Sequence, residues 1–378
     1  MKQGVEGFQG SSLKAAREAR QFTVVHLADS VGVSRNLIYQ YENGETRPQA
    51  DILVRLAQVL RQPTDFFTSK DPYSERKSDP FFRSQKGTTR MARLAACVRH
   101  KWLLRIVDQI EAYVELPAIQ IPSWDLGADT RQMEDEEIEY LANETRKHWA
   151  LGYGPIANLT WVAENAGAVI SCHDFECNEL DAYSDTTLSS RPVIAINSGK
   201  VTAARYRFDL AHELGHLILH RDLNRDLLQD DDAFDEIERQ AHRFAGAFLI
   251  PKDSFLAEFR KLDLNFLLLG KQRWQVSVAL IIKRAENLGV ASRGEIERLW
   301  IAMSKRGWRK KEPLDDTETE SPTLIKSSLE LLENERILMP EQLATRLMIN
   351  RNDIGELTGT IDHSSKQSMP ALRVLDIG

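Results

Sequence analysis

The sequence predicts an α+β fold that is mainly helical. It has an all-helical N-terminal region, a central region with a small sheet, and a helical C-terminal tail. Apolar residues recur at intervals of three and four over most of the 378 residues, which is the spacing of one helix face. Only the short runs at 168–171, 180–184 and 193–197 have the composition of strands. A chain of this length is expected to hold two or three domains.

Composition excludes several classes of protein. The net charge of −7 argues against a generic binder of polyanions. No apolar run approaches the roughly 20 residues that span a bilayer, and the N-terminal residues lack an apolar signal core. Three cysteines give no disulfide framework. We therefore expect a cytoplasmic protein with no membrane partner.

Residues 8–69 are predicted to form a compact all-helical domain. Thr23 and Ser34 are suited to cap its second and third helices, and Gly32 supplies the turn between them. This arrangement places the start of the third helix in the DNA major groove. The stretch LADSVGVSRNLIYQYENGETRP resembles the helix-turn-helix of Cro-type phage repressors, the XRE family. The resemblance implies binding to double-stranded DNA, and a homodimer would bind a palindromic site.

The exposed face of this third helix supplies the candidate DNA contacts. Arg35 can pair with guanine, and Asn36 or Gln40 with adenine, while Thr23 and Arg47 are expected at phosphates. Residues 1–70 hold nine Lys and Arg against seven Asp and Glu, a difference of +2, which predicts modest affinity for a monomer. The alternative is that this helix-turn-helix contacts only other proteins and does not bind DNA. The candidate DNA-binding residues are Thr23, Ser34, Arg35, Asn36, Tyr39, Gln40 and Arg47.

Residues 70–125 are predicted to form a linker followed by a basic helix. The Ser, Pro, Asp and Lys content of 68–90 is typical of a linker. Seven cations and no acid lie between Phe81 and Val107, which fits either a second phosphate-contacting surface or a solvated helix face with acidic partners elsewhere, such as 125–139. These cations are Arg83, Lys86, Arg90, Arg93, Arg99, Lys101 and Arg105.

The motif HExxH lies within the helical run RFDLAHELGHLILH. His212 and His216 are four residues apart, so they share one helix face, and this spacing lets both imidazoles bind one Zn²⁺. Glu213 borders that face, which makes it the candidate general base for a zinc-activated water. The small Gly215 lets a neighbouring element pack closely.

A second amphipathic helix follows an acidic loop and supplies the candidate third ligand. A catalytic zinc needs three protein ligands and one open position. Glu238 is our choice, and His242, four residues on, is a candidate support for the ligands or a hydrogen-bond donor to the developing oxyanion. The competing ligands are Glu236, His220 and His242 itself. The acids at 230–235 are expected to complement the helix dipole.

RFDLAHELGHLILH followed by EIERQAHRFAGAFLIP resembles the ImmA/IrrE family of zinc metallopeptidases. The resemblance implies a gluzincin-like domain over 126–312, with zinc held by the two motif histidines and Glu238, and Glu213 as general base. His242 stands where many relatives have Asn. The family also implies a protein substrate, such as a phage-type repressor, and a role in stress or in the response to phage and mobile elements.

Other features allow two interpretations. Val193–Ile196 is a candidate strand for docking a peptide, or an ordinary core strand. Tyr183 and Tyr206 could offer a phenol to the oxyanion, or pack as aromatics. Cys172, His173 and Cys177 supply only part of a metal set, which favours free thiols.

The remaining residues, 313–378, are predicted to form a helical accessory region. The stretch LATRLMINRNDIGELTG weakly resembles a second helix-turn-helix, and a small accessory or dimerising bundle is the favoured alternative.

The leading hypothesis is a DNA-binding zinc metalloendopeptidase that cleaves a repressor or its own linker. Cutting that linker would separate DNA binding from the rest of the chain and switch transcription. The alternative is a non-cleaving transcription regulator whose zinc domain senses a ligand or metal.

Overall fold

The computed structural model describes residues 4–73, 81–82, 89–189, 191–200, 202–360 and 373–374. The described residues confirm the predicted α+β class, and none of their helices is long and apolar enough to cross a bilayer. The helices are α1 (Gly10–Ala19), α2 (Val24–Val31), α3 (Arg35–Glu42), α4 (Ala50–Leu60), α5 (Arg90–Glu111), α6 (Asp135–His148), α7 (Leu159–Asn165), α8 (Ala203–Leu219), α9 (Asp231–Leu249), α10 (Lys252–Glu258), α11 (Leu264–Trp274), α12 (Val278–Asn287), α13 (Arg293–Lys305), α14 (Leu324–Asn334), α15 (Pro340–Leu347) and α16 (Arg351–Thr358). The strands are β1 (Phe81–Phe82), β2 (Val114–Glu115), β3 (Val169–His173), β4 (Ala182–Asp185), β5 (Val193–Asn197) and β6 (Arg373–Val374).

Helices α1–α4 form the predicted helix-turn-helix unit. Thr23 accepts a hydrogen bond from His26 N at 3.0 Å, and Ser34 accepts one from Leu37 N at 3.2 Å, so both predicted caps are present. Gly32 has a φ of 73°, a left-handed conformation that glycine adopts without strain, and it ends α2. These local features fix the turn between α2 and α3, and the apolar residues of all four helices are buried together.

The main sheet has the order β1-β4-β5-β3. Strands β3 and β5 are parallel, with Val169 opposite Val193, and β4 runs antiparallel to β5. Strand β5 is therefore paired on both sides. Of the two interpretations of Val193–Ile196, the ordinary core strand is correct and the docking strand is wrong. All five residues of β5 are buried, as in a central strand that is covered on both faces.

The outer side of β4 is paired with β1, which comes from the predicted linker. Phe81 lies opposite Ser184 and Phe82 opposite Tyr183, in antiparallel register. The rest of the linker between residues 74 and 88, with Arg83 and Lys86, lies outside the described residues.

Helix α8 lies between the sheet and α9. Its Leu210 and Leu214 are buried in the same apolar cluster as Ile194 of β5. On the α9 side, a Cβ added to Gly215 would lie 3.2 Å from Phe244 Cδ1 and 3.3 Å from Ala241 O. The predicted close packing at Gly215 is therefore confirmed, and α9 is the element that approaches it.

Helices α15 and α16 have the same spacing as α2 and α3. Each helix has eight residues, and Met348 takes the left-handed position of Gly32 with a φ of 54°. Asn350 caps α16, accepting from Asn352 N at 2.8 Å. However, Asp353 and Gly355 of α16 are buried, whereas Tyr39, the α3 residue equivalent to Gly355, is exposed, and α16 packs on α5 and β3. This packing supports the accessory bundle, which the sequence favoured together with a dimerising bundle over a second helix-turn-helix.

Two cationic side chains of the basic helix α5 form hydrogen bonds to other segments of the protein. Arg99 donates to Asp174 O at 2.7 Å and to Glu176 Oε1 at 3.1 Å, and Arg105 donates to Leu347 O. These two residues therefore join α5 to the loop after β3 and to α15. Neither predicted role, phosphate contact or solvated face, applies to them, because a helix between two packed units has little free surface.

The acidic stretch proposed as a partner for α5 binds other cations. Glu139 of α6 accepts from Arg243 Nε at 2.9 Å and from Arg284 Nη2 at 2.6 Å. These contacts join α6 to α9 and α12, so the stretch 125–139 stabilises the central domain and not the basic helix.

Candidate metal centre and DNA-binding surface

Helix α8 places His212 and His216 on one face, because residues four apart lie above each other, and His220 directly follows the helix. His212 Nε2 and His216 Nε2 are 3.0 Å apart, and both side chains are fully buried. Glu213 is the next residue after His212, one helical step around α8, and it is also fully buried. The three residues of the predicted motif are therefore brought together inside the domain.

Helix α9 brings Glu238 against the two histidines. Glu238 Oε2 lies 3.4 Å from His212 Nε2, and Oε1 lies 3.1 Å from His216 Nε2. Two imidazole nitrogens and one carboxylate are the donor set of a catalytic zinc site, and atoms at these separations can all reach one ion at about 2.0–2.1 Å. The residues present therefore fit the metal that the sequence implies.

The acidic loop before α9 has the structural role predicted for it. Asp230 caps α9, accepting from Ala233 N at 2.8 Å, and Asp231 and Asp232 occupy its first turn. Carboxylates at these positions stabilise the positive end of the helix dipole. The loop thus fixes the start of the helix that carries Glu238.

His242 lies at the edge of the same cluster. Its ring centroid is 4.4 Å from that of His212, and single ligand atoms of His212, Glu238 and His242 lie within 4.8 Å of one another. Its Nδ1 is 2.6 Å from Glu238 O, and a carbonyl only accepts, so the proton is assigned to Nδ1. The Phe208 ring lies 5.6 Å from His242 and forms one wall of this edge.

His220 lies behind His216 and not among the ligand atoms. The two Nδ1 atoms are 3.0 Å apart, and His220 Nε2 is 3.0 Å from Gln240 Oε1. Burial lowers the pKa of His220 to about 3, which keeps the ring neutral at physiological pH. Glu236, the other competing ligand, pairs with Arg239, and this arginine lowers the pKa of Glu236.

The two candidate phenols are packed aromatics. Tyr206 OH accepts a hydrogen bond from Thr160 Oγ1 at 3.1 Å, and Tyr183 OH donates to Ala96 O at 3.4 Å. Both tyrosines are fully buried, and burial raises the pKa of each hydroxyl. His173 is buried, and its Nδ1 is 3.0 Å from Ser171 Oγ.

Comparison with protein families agrees with both parts of this description. Residues 163–286 match the IrrE N-terminal-like domain of the peptidase M78 family, and residues 13–67 match a helix-turn-helix of the XRE type. The chain joins an XRE-type DNA-binding domain to an IrrE N-terminal-like domain. No curated protein matches the chain.

The IrrE N-terminal-like domain contains all of the clustered histidines and Glu238, together with β3, β4 and β5. The XRE-type domain holds every candidate DNA contact, and all of these side chains are exposed. Ile38 and Tyr41, on the opposite side of α3, are buried. The hydroxyls of Thr23 and Ser34 cap helices, so they keep only a donor proton for a phosphate.

Proposed function

We propose that the chain is a DNA-binding zinc metalloendopeptidase that cleaves a protein to switch transcription in a reducing cytoplasm. The observation that carries this proposal is the convergence of His212, His216 and Glu238 beside Glu213, in a peptidase-family domain linked to a DNA-binding domain. A plain DNA-binding protein has no need for this donor set.

His212, His216 and Glu238 would hold the ion, which in such a site acidifies water and polarises a peptide carbonyl. Glu213 would take the proton of the attacking water and deliver it to the leaving amine. His242 is our candidate for a hydrogen bond from Nε2–H to the developing oxyanion. Because its Nδ1–H already donates to Glu238 O, this role requires the ring to carry a proton on both nitrogens.

A repressor protein and the chain's own linker are both candidate substrates. The pairing of Phe81–Phe82 with β4 supports the linker, because a strand added to a sheet edge is held in the extended form that peptidases cut. Strand β4 runs along α8, and Asp181, just before β4, pairs with Arg205 of α8 at 2.7 Å. The strand that pairs with Phe81–Phe82 therefore packs against the helix that carries Glu213.

A second candidate function, a regulator that senses metal or a ligand without cleaving, is supported by the position of His242. One ligand atom of His242 lies within 4.8 Å of ligand atoms of His212 and Glu238, a separation at which His242 could be a further ligand of the same ion. A fourth protein ligand would fill the open position that catalysis needs, as in structural zinc sites.

The test compares wild type with Glu213→Gln in the native host, with and without stress, by mass spectrometry of new protein N-termini. We expect cuts in a repressor or in residues 68–90 of this chain that fall by about 10²- to 10⁴-fold in the variant. Equal zinc content in wild type and Glu213→Gln is the control that shows that the metal site of the variant is intact. Regulation that persists in the variant, with no cut that depends on Glu213, would favour the sensing regulator.

A further inference from the structure

A buried chain of hydrogen bonds leads away from His216. From His216 Nδ1 it passes to His220 Nδ1 at 3.0 Å, and from His220 Nε2 to Gln240 Oε1 at 3.0 Å. Gln240 Nε2 then donates to Thr130 O at 2.7 Å and to Glu236 Oε1 at 3.0 Å. His216, His220 and Gln240 are all fully buried, so solvent does not supply alternative partners.

The donor in each hydrogen bond of this chain follows from its last two acceptors, Thr130 O and Glu236 Oε1. A carbonyl and a carboxylate only accept, so the amide nitrogen of Gln240 faces Thr130 and Glu236, and its oxygen faces His220. His220 must then donate from Nε2. A neutral His220 is left with a lone pair on Nδ1, so His216 donates from Nδ1. The remaining lone pair of His216 lies on Nε2, the atom that faces His212 and Glu238.

We infer that Gln240 and His220 are positioning residues that fix the tautomer and ring orientation of His216, so that its Nε2 is ready to bind the metal. The inference rests on the proposed metal site. It assigns a role to Gln240, which precedes His242 by two residues in α9, and to the carbonyl of Thr130, which lies 110 positions before Gln240 in the chain. Groups that hydrogen-bond a metal-binding histidine in this way raise its basicity and typically account for 10- to 100-fold in metal affinity, as an order of magnitude.

A matched pair of variants tests this role. His220→Gln keeps an acceptor for His216 and a donor for Gln240, whereas His220→Leu keeps neither. The Zn²⁺ affinity of the full-length protein is measured by competition with a chromophoric chelator. The double variant His212→Ala, His216→Ala gives the background from other sites. We expect His220→Leu to weaken binding by about 10- to 100-fold, with His220→Gln close to wild type.

A second measurement does not depend on how well the variants fold. The ¹⁵N chemical shifts of the imidazoles in the full-length protein report which nitrogen carries each proton. We expect His216 to be protonated on Nδ1 and His220 on Nε2.

A further variant is tested in the Zn²⁺ competition assay. We expect Gln240→Met to weaken Zn²⁺ binding, as His220→Leu does.

Each outcome supports or overturns the inference. Reversed tautomers, or equal affinities for His220→Leu and wild type, would overturn it while zinc binding, and with it the proposed function, stands. Wild-type binding no stronger than that of the double variant would remove the proposed metal site as well as the inference.

Discussion

Arg20, at the end of α1, and Asp353, in α16, form a bidentate ion pair. Arg20 Nη1 and Nη2 donate to the two carboxylate oxygens of Asp353, each at 2.7 Å, and Gln62 Nε2 donates to the same carboxylate at 2.5 Å. Asp353 is buried in α16, whereas Arg20 directly follows α1 and Gln62 is the second residue after α4. The C-terminal bundle is thus attached to the DNA-binding domain by a carboxylate that has its charge and its hydrogen bonds satisfied.

Asp353→Ala is expected to lower the free energy of unfolding of the full chain by about 3 kcal/mol, because it leaves Arg20 half-buried without its counter-charge. Urea unfolding measures the change. The control is Glu341→Ala, which removes an exposed pair with Arg351 and should alter stability by less than about 1 kcal/mol. Equal effects of the two variants would show that the buried pair adds nothing beyond a surface contact.

Glu238→Ala is expected to weaken Zn²⁺ binding by more than about 100-fold. Residues that only orient a metal ligand already account for up to about 100-fold in metal affinity, and Glu238 is itself a proposed ligand. Asp232→Ala is the matched control, because Asp232 is an exposed carboxylate in the first turn of the same helix, six positions earlier. Metal content after dialysis measures both. The ligand assignment fails if the two variants retain equal amounts of zinc.

Arg35→Ala is expected to cost about 1–3 kcal/mol in binding to the preferred duplex, because Arg35 lies exposed at the start of α3, where a base contact is expected. Selection from a random duplex library followed by gel shifts gives the site and the affinity. Arg298→Ala, an exposed arginine on α13, is the control. The absence of any preference over random duplex at physiological salt would refute specific DNA recognition.

Glu164 makes stability depend on pH. It accepts from Thr323 N and Leu324 N, each at 2.9 Å, and burial raises its pKa from 4.5 to about 7. The folded state therefore binds the proton of the Glu164 carboxyl group more tightly than the unfolded chain does. Its contribution to stability is therefore full below pH 4.5 and is lost as the pH rises through about 7.

Glu164→Gln should remove this part of the pH dependence. Wild type should lose stability relative to the variant from about pH 4.5 to about pH 7, with a constant difference above that range. Urea unfolding at a series of pH values measures the difference. A difference that does not change with pH would mean that Glu164 has the same affinity for its proton in both states.

Local sequence signals predicted the caps at Thr23 and Ser34, the turn at Gly32 and the pairing of His212 with His216, because each depends on residues within four positions. Glu238 was reached through the resemblance and the helical spacing of α9. The chain from His216 to Thr130 was not predicted, because its last hydrogen bond joins residues 110 positions apart. His220 was identified only as a competing ligand.

The errors also have a physical origin. The run Val193–Ile196 has the composition of a strand, but composition does not give the order of strands in a sheet, and its central position follows from pairing with two distant segments. The basic residues Arg99 and Arg105 have the spacing of a helix face. Which face meets solvent depends on the packing of α15 and the loop after β3, and no pattern within α5 specifies that.

The shared core of the two ends of the chain bears on the proposed self-cleavage. Residues of α1, α4 and α5 belong to the same buried cluster as residues of α14–α16, and Ser171 of β3 donates to Leu357 O of α16 at 2.6 Å. A molecule nicked once within residues 74–88 would therefore remain a non-covalent complex of two fragments. It would elute intact from a sizing column and separate only in denaturant. Proteolysis would then prepare the DNA-binding domain for release, and the moment of release would be set by whatever loosens this interface.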